Sequence, residues 1–337
     1  MKNKIHKLFI VYILLGINFL NAQSVIKTDL AKSKIDTTLN RHSFVYAGEW
    51  DYRNELQTIF MVKKGKVVWS YGIPIKDADG VLQELGDVHR LSNGNILFTR
   101  KVGASEITPD KKIVWNYEGP KGTEIHSCQP LGMDKVVLMQ NGSPAKILII
   151  NKKTNTIEKQ LIMETGNSAK SHGQFRHIRY TNAGTFLVPH TDMGKVVEYD
   201  ENGKVLWSVK ADHPWAAIRL NNGNTLISAD QFGYAREVNP KGETVWEFNQ
   251  TDVPNILLGN IQECNRLANG NTVICNWVPN KIKDPKDWKN TVQVIEVTPD
   301  KKIVWALKSW NNPDLGPASA IQLLDEKGKA EKGELQR

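Results

Sequence analysis

The sequence predicts an all-β fold, a six-bladed β-propeller whose C-terminal strand closes the first blade. One ending recurs six times: Lys66-Val67-Val68-Trp69, Lys112-Ile113-Val114-Trp115, a looser Thr156-Ile157-Glu158-Lys159, Lys204-Val205-Leu206-Trp207, Glu243-Thr244-Val245-Trp246 and Lys302-Ile303-Val304-Trp305. The copies stand 46, 44, 48, 39 and 59 residues apart. A period of about 40–50 residues made of short strands is that of one four-stranded blade per repeat. A second element, Leu91-Ser92-Asn93-Gly94-Asn95-Ile96-Leu97, returns at Leu220–Leu226 and Leu267–Val273, and more loosely at 131–137 and 180–187. Asn-Gly between apolar runs signals a hairpin, because both residues tolerate positive φ. The third observation is arithmetic: the first repeat, Phe44 to Tyr71, lacks an innermost strand, and Ala318–Leu324 reads as an innermost strand with nothing after it. Joined, they complete one blade and leave no open sheet edge.

Each blade therefore reads as strand a, an Asn-Gly turn, strand b, a variable loop, strand c, a Pro-Asp or Asn-Gly turn, and strand d. The tryptophan ending strand d is expected to pack between neighbouring blades, since a large ring with one N–H suits a mostly apolar seam with one acceptor.

Residues 1–22 read as a secretory signal peptide: Lys2, Lys4 and Lys7, an apolar run from Leu8 to Leu20, then Asn21-Ala22-Gln23. That run is short for a membrane span, and cleavage after Ala22 is expected. Residues 23–42 form a lead segment, 43–324 the propeller, and 325–337 a charged tail expected to be disordered. The mature chain is expected to be exported, periplasmic or secreted, and monomeric, with no integral membrane segment.

The chain has 44 basic and 36 acidic residues, a formal charge of +8. Removing the three signal lysines leaves +5, and the bases lie largely in solvated turns such as Lys111-Lys112 and Lys301-Lys302. This points to solubility rather than nucleic-acid binding. Three cysteines remain, Cys128, Cys264 and Cys275. A two-residue turn at Asn269-Gly270 would set Cys264 opposite Cys275, a candidate disulfide that an export route permits. A three-residue turn would break the pairing and leave two buried thiols. Neither arrangement makes a catalytic cysteine.

In this scheme the a–b and c–d turns share one face and are short, while the d–a and b–c connections share the other and are long and individual. Binding residues concentrate on variable loops of a rigid scaffold. Beyond His6 and His42, the histidines are His89, His126, His172, His177, His190 and His213, and all six are assigned to the d–a/b–c side or to the start of strand a. The same face is expected to carry Arg100, Arg176, Asp192, Asp230, Tyr234, Trp50, Trp215, Trp277, Trp288 and Trp310. Two stretches stand out: Glu124–Leu131, which places His126 where strand a enters the channel, and His172–Arg179, with two histidines and two arginines. Imidazole with guanidinium suits an anionic group, and a histidine of near-neutral pKa serves as base or nucleophile. His126 and His177 are accordingly the candidate catalytic residues. Arg176, His190, Asp192, Arg100, His172, His89, Trp215 and Trp277 are the candidate ligand contacts. No metal site is assigned from spacing, although Glu124, Asp192 and channel histidines leave a channel metal ion open.

The run His126-Ser127-Cys128-Gln129-Pro130-Leu131, with the repeated Leu-x-Asn-Gly-Asn-x-Leu and x-Val-x-Trp, resembles the PQQ-like propellers, especially those of arylsulfotransferase type, over residues 43–324. The resemblance implies a channel histidine that accepts a sulfuryl group, which by context is His126, with other histidines and an arginine on the sulfate. His177 and Arg176 enter only by their clustering. The quinone-dependent members are eight-bladed with a different tryptophan motif, so no quinone and no other cofactor is expected.

No Gly-x-Ser-x-Gly elbow, phosphate-binding glycine loop or His-Glu-x-x-His zinc helix is present. Three readings remain: a propeller binding a carbohydrate or other anionic ligand at the channel mouth; a histidine-dependent enzyme (a sulfuryl transferase, or a lyase or hydrolase of acidic glycans); and a cell-envelope scaffold. The scaffold would need an apolar loop face, for which Leu257-Leu258 and Trp277-Val278 are the candidates.

Overall fold

The computed structural model describes residues 35–337 except 230 and 232. The expected signal segment, the start of the lead segment and Asp230 lie outside the described residues. Among these residues the strands form six four-stranded antiparallel sheets, each ordered a-b-c-d, around a channel lined by the innermost strands. These are Ala318–Leu323, Leu85–Arg90, Glu124–Leu131, Arg179–Tyr180, Pro214–Arg219 and Asn260–Arg266 for blades one to six. Blade one closes as the sequence implies: Phe44–Gly48 pairs with Ala318–Leu323 on one side and Leu56–Lys63 on the other. No helix among the described residues is long and apolar enough to cross a membrane.

The strand-d tryptophans explain their own recurrence. Each indole Nε1 donates to a carbonyl or amide oxygen on the next blade: Trp69 to Pro109 O at 2.8 Å, Trp115 to Asn155 Oδ1 at 3.0 Å, Trp207 to Pro240 O at 2.8 Å and Trp246 to Pro299 O at 3.0 Å. The acceptors all sit in the c–d turn that follows. Blade three has lysine at this place, and Lys159 Nζ makes the same bond to Glu201 O at 2.7 Å. Trp305 of blade six donates instead to Thr38 O at 2.9 Å, so the lead segment supplies the last acceptor. That segment is held by a bridge between Asp36 and Trp305 and by His42 against Glu296.

The second repeat also has a structural job. The asparagine after each glycine bonds the glutamate of strand c: Asn95 to Glu106, Asn224 to Glu237 and Asn271 to Glu296, all at 2.6 Å. Those glutamates stand opposite Trp115, Trp246 and Trp305 on strand d. Arg266 of the next blade then pairs with Glu237 and lies over the Trp246 ring, tying two blades through one charge.

Two expectations are corrected. The a–b turns contain three residues, not two: Leu267 N donates to Asn271 O, and Gly270 holds the left-handed position at φ 87°. The register is therefore Cys264 against Ile274 and Cys275 against Val294. Cys264 and Cys275 are free buried thiols, as is Cys128. Burial raises the pKa of all three. The second correction concerns residues 325–337, which are not disordered but docked over the channel on the a–b face. Glu331 accepts from Ser92 N and gives its carbonyl to Gly132 N; Glu326 accepts from Ala268 N; Gln336 donates to Tyr180 O. Leu335 and Gln336 help line a cavity of ≈ 70 Å³ with His89, Arg179 and Glu263.

Truncation separates these two layers. A chain ending at Pro317 loses an inner wall and exposes a sheet edge, so cooperative unfolding should disappear. Removing only 325–337 should keep one cooperative transition at a lower urea midpoint. A monomer ending at Pro317 that still unfolds in one sharp step would refute the closure.

Candidate functional site

The innermost strands are irregular where they reach the d–a face. The pairing register slips between Leu85 and Val88, Ile125 and Ser127, Pro214 and Ala216, and Ile261 and Cys264. His126 and Trp215 are the extra residues of two of these bulges, and a bulge re-aims a side chain that regular pleating would alternate. The His126 bulge needs a bare backbone opposite it. A Cβ on Gly86 would stand 2.1 Å from His126 O, so only glycine fits there.

The result is a cluster at the channel mouth. His126 Nε2 donates to Glu124 Oε2 at 2.8 Å, and its Nδ1 lies 3.5 Å from Glu84 Oε2. His172 Nδ1 donates to the same Glu124 oxygen at 2.9 Å, and Arg176 Nη2 donates to His172 Nε2 at 2.9 Å. The Arg176 guanidinium lies 4.5 Å over the Trp215 ring and 3.7 Å from Glu84. Lys101 Nζ stands 3.4 Å from Glu124 and 3.7 Å from Glu84. His126 and Glu84 are buried, while His172 keeps about half its side chain in solvent.

Charge partners set the protonation states. Burial, with Arg176 beside it, lowers the His126 pKa to about 4 against the pull of Glu124 and Glu84, so the ring is neutral at pH 7. Burial alone would raise Glu84, but the positive charges beside it, Arg176 and Lys101, hold it below its ordinary value. Glu124 is likewise held down, against burial, by its hydrogen bonds from His126 and His172. Glu49 goes the other way, pushed well up by burial and by the Glu84 charge. Several buried atoms here have no hydrogen-bond partner among the described residues: Glu84 Oε1, Arg176 Nε and Nη1, both amide atoms of Gln83, and the indole nitrogen of Trp215. Buried polar atoms are paired as a rule, so such a concentration marks a place with something left to bind.

Of the residues nominated from sequence, Glu124, His126, His172, Arg176 and Trp215 come together. The others do not. His177 lies deeper, its Nδ1 2.8 Å from Asp87 Oδ1. Asp87 also accepts from Arg179, Ser127 Oγ and Cys128 N, and Arg179 reaches on to Glu263. This belt is fully buried and ties blades two, three, four and six. Asp87 is held far below its ordinary pKa, because Arg179 and His177 outweigh its burial. His89 is at the other end of its strand, bonded to Cys128 O at 2.8 Å and facing the cavity under residues 325–337. His190 is buried against Phe175 with Tyr199 Oη 2.8 Å from its Nε2. Asp192 accepts from the amides of Gly166 and Asn167 and so shapes a loop. Arg100 is bonded to Ser105, Asn116 and Glu118, away from the mouth. Trp277 is buried beside Trp50, with ring centres 6.0 Å apart. The sequence reading missed Glu84, Glu49 and Lys101. The signal for Glu84 was its place in a long d–a connection directly before strand a.

Comparison with solved structures gives the fold its company. The chain is similar to a protein of unknown function from Bacteroides caccae, with 27% identity, a TM-score of 0.70, and 83% of this chain and 97% of that one covered. It is also similar to a streptogramin B lyase, at 13% identity and a TM-score of 0.54, over 81% of this chain and 86% of the other. A catalytically inactive histidine-to-alanine variant of virginiamycin B lyase from Staphylococcus aureus, solved with quinupristin, matches at 14% identity and a TM-score of 0.52, over 81% and 87%. At these identities the two lyases share the propeller architecture alone. No family model matches the chain, and no curated protein sequence does.

His190 provides a test of the burial argument away from the mouth. Burial, helped by Lys195, lowers its pKa from the ordinary 6.5 to about 4. The unfolded chain therefore takes up this proton first. The stability that His190 contributes is complete above pH 6.5 and is lost as pH falls towards 4, at up to about 1.4 kcal/mol per pH unit. Urea midpoints measured from pH 7 to 4.5 should fall more steeply in the native protein than in His190→Gln. Equal slopes would contradict this protonation state.

Proposed function

We propose that this chain is an exported, monomeric binding propeller whose d–a/b–c mouth takes a glycan or other polar molecule bearing an acidic group. The observation that carries the reading is Arg176: a nearly buried guanidinium whose Nε and Nη1 have no hydrogen-bond partner among the described residues, stacked on Trp215, whose indole N–H has none among them either. A fork of charged donors beside an aromatic face suits a carboxylate or sulfate on a ring-shaped molecule. Glu84 and Glu124 offer acceptors to hydroxyl groups of the same ligand. The scaffold reading loses its support, because Leu258, Trp277 and Val278 are buried and do not form an apolar loop face.

One observation favours catalysis as a second reading. Glu124 and His126 form a carboxylate–imidazole pair at 2.8 Å with the ring neutral, the arrangement of a general base or of a nucleophile for sulfuryl transfer. The sulfuryl-transfer version rests on the His126 context alone.

Calorimetry with uronic-acid and sulfated oligosaccharides, each against its neutral counterpart, tests the binding reading. Arg176→Met should weaken the acidic ligands by about 1–3 kcal/mol, the scale of a charge-assisted hydrogen bond, and leave neutral sugars unaffected. His126→Ala should weaken binding if the mouth only binds, and should abolish turnover of an aryl sulfate or acidic glycan if it catalyses. Indifference of both variants to every acidic ligand would remove the mouth as the site.

A further inference from the structure

Four nitrogens surround Glu84 at ion-pair distance, yet none of them donates it a hydrogen bond. Its carboxylate is buried and faces four nitrogens: His126 Nδ1 at 3.5 Å, Arg176 Nη1 at 3.7 Å, Lys101 Nζ at 3.7 Å and His172 Nδ1 at 3.8 Å. All four stand just beyond hydrogen-bonding distance. For His126 the gap is sharper still. Its Nε2 proton is committed to Glu124, so the neutral ring turns the Nδ1 lone pair toward a carboxylate oxygen, with no proton between two acceptors. Glu84 Oε1 has no hydrogen-bond partner among the described residues. Two ligands each about 2.0–2.2 Å from one tetrahedral ion are separated by about 3.4 Å, close to the His126–Glu84 spacing.

We propose that Glu84, His126 and His172 form a three-ligand site for a divalent transition-metal ion of the zinc type, with its remaining position open to the mouth. The donor atoms that these three residues can offer lie within 4.8 Å of one another. Two imidazoles and a carboxylate suit zinc and its first-row neighbours rather than magnesium or calcium, which take oxygen. Three protein ligands leave a coordination position for water or substrate, unlike a closed structural site. Glu124 completes the design from outside: it receives the His126 Nε2 proton and fixes the ring with Nδ1 inward, the second-shell carboxylate that metal-bound histidines characteristically have.

His172 must adjust. Its Nε2 accepts from Arg176, so its proton sits on Nδ1 and is donated to Glu124. Ligation through Nδ1 moves that proton to Nε2, and the Arg176 guanidinium is released towards the mouth. The ion therefore adds two positive charges beside two carboxylates that Lys101 and Arg176 already balance, and it frees the arginine. The net gain is affinity for an anionic group. This deepens the ligand-binding reading above, and it also excludes His126 as nucleophile while the ion is bound, since both ring nitrogens are then engaged.

The test uses the mature protein without a purification tag, stripped with chelator and titrated with Zn²⁺ alone and then Co²⁺ alone, with no organic ligand present. Expected are one strong site by calorimetry and, with Co²⁺, the visible absorption of a low-coordinate cobalt–nitrogen site. Glu84→Gln and His172→Ala should each abolish the strong site and the cobalt band. Glu124→Gln should weaken it about 10–100-fold, as second-shell carboxylates do. His213→Ala, on the same face, should change nothing. His172 is half exposed, so its variant is expected to fold, which melting in chelator will verify. Absence of a strong site in the native protein, or a strong site that survives both Glu84→Gln and His172→Ala, overturns the proposal. Because no glycan enters the titration, the ion site and the acidic-ligand reading can fail separately.

Discussion

A ring of separate sheets holds together only if every joint between blades is made, and here each joint uses the same bond. The last residue of the recurring motif reaches from strand d to an oxygen beyond its own blade: four indoles and Lys159 to the following c–d turn, and the fifth indole, Trp305, to the lead segment. One such bond contributes only about 1 kcal/mol. Its weight comes from closure, because a ring with one open joint exposes an apolar blade face on both sides. The sixth joint is the most revealing. Trp305 donates to Thr38 of the lead segment, and not to the Lys63–Lys66 turn of blade one. The segment before the first strand is therefore part of the ring, held by the same chemistry as the repeats.

Inside the ring the polar side chains fall into two layers with opposite accounts. The Asp87–His177–Arg179–Glu263 belt crosses the channel wall with its charges mutually paired. In a low dielectric such a network is rigid when fully satisfied and costly when partly so. The mouth layer is partly satisfied: Glu84, Arg176, Gln83 and Trp215 keep unpartnered atoms, and Glu49 is pushed towards its neutral form. The same residue types thus serve stability in one layer and, among the described residues, leave buried polar atoms without hydrogen-bond partners in the next. Depth along the channel decides which, not identity.

That division marks how far the sequence could be read. The blade count, the closure by Ala318–Leu323 and the interblade role of the tryptophans follow from periodic features and were legible. Register was not. One extra turn residue, Ala268, moves Cys264 from Cys275 to Ile274, and no local rule separates a two-residue Asn-Gly turn from a three-residue turn with left-handed glycine. The site was half legible. His126, His172, Arg176 and Trp215 were nominated because histidine and arginine are conspicuous on loops. His89, His177 and His190 were nominated for the same reason, although bulges, strand depth and backbone acceptors place them elsewhere. Glu84 went unseen because a lone glutamate in a variable connection has no pattern; its partners come from blades two, three and four. The docking of residues 325–337 was hidden by composition, since the charged side chains that suggested a solvated tail, Glu326 and Glu331, accept backbone amides of the a–b turns instead.

That segment also fixes how the channel can be used. With Leu335 and Gln336 laid over the a–b end and the Asp87 belt across the middle, the channel is a blind well rather than a tunnel. A polymer cannot be threaded through the ring and slid along it. On the binding reading proposed above, only a chain end, a branch tip or a compact molecule would approach His126, and it would leave by the opening it came through. If the mouth binds as proposed above, its recognition would therefore be of termini. Long and short members of one polymer family would present it with the same epitope, differing in how many ends they offer per unit mass.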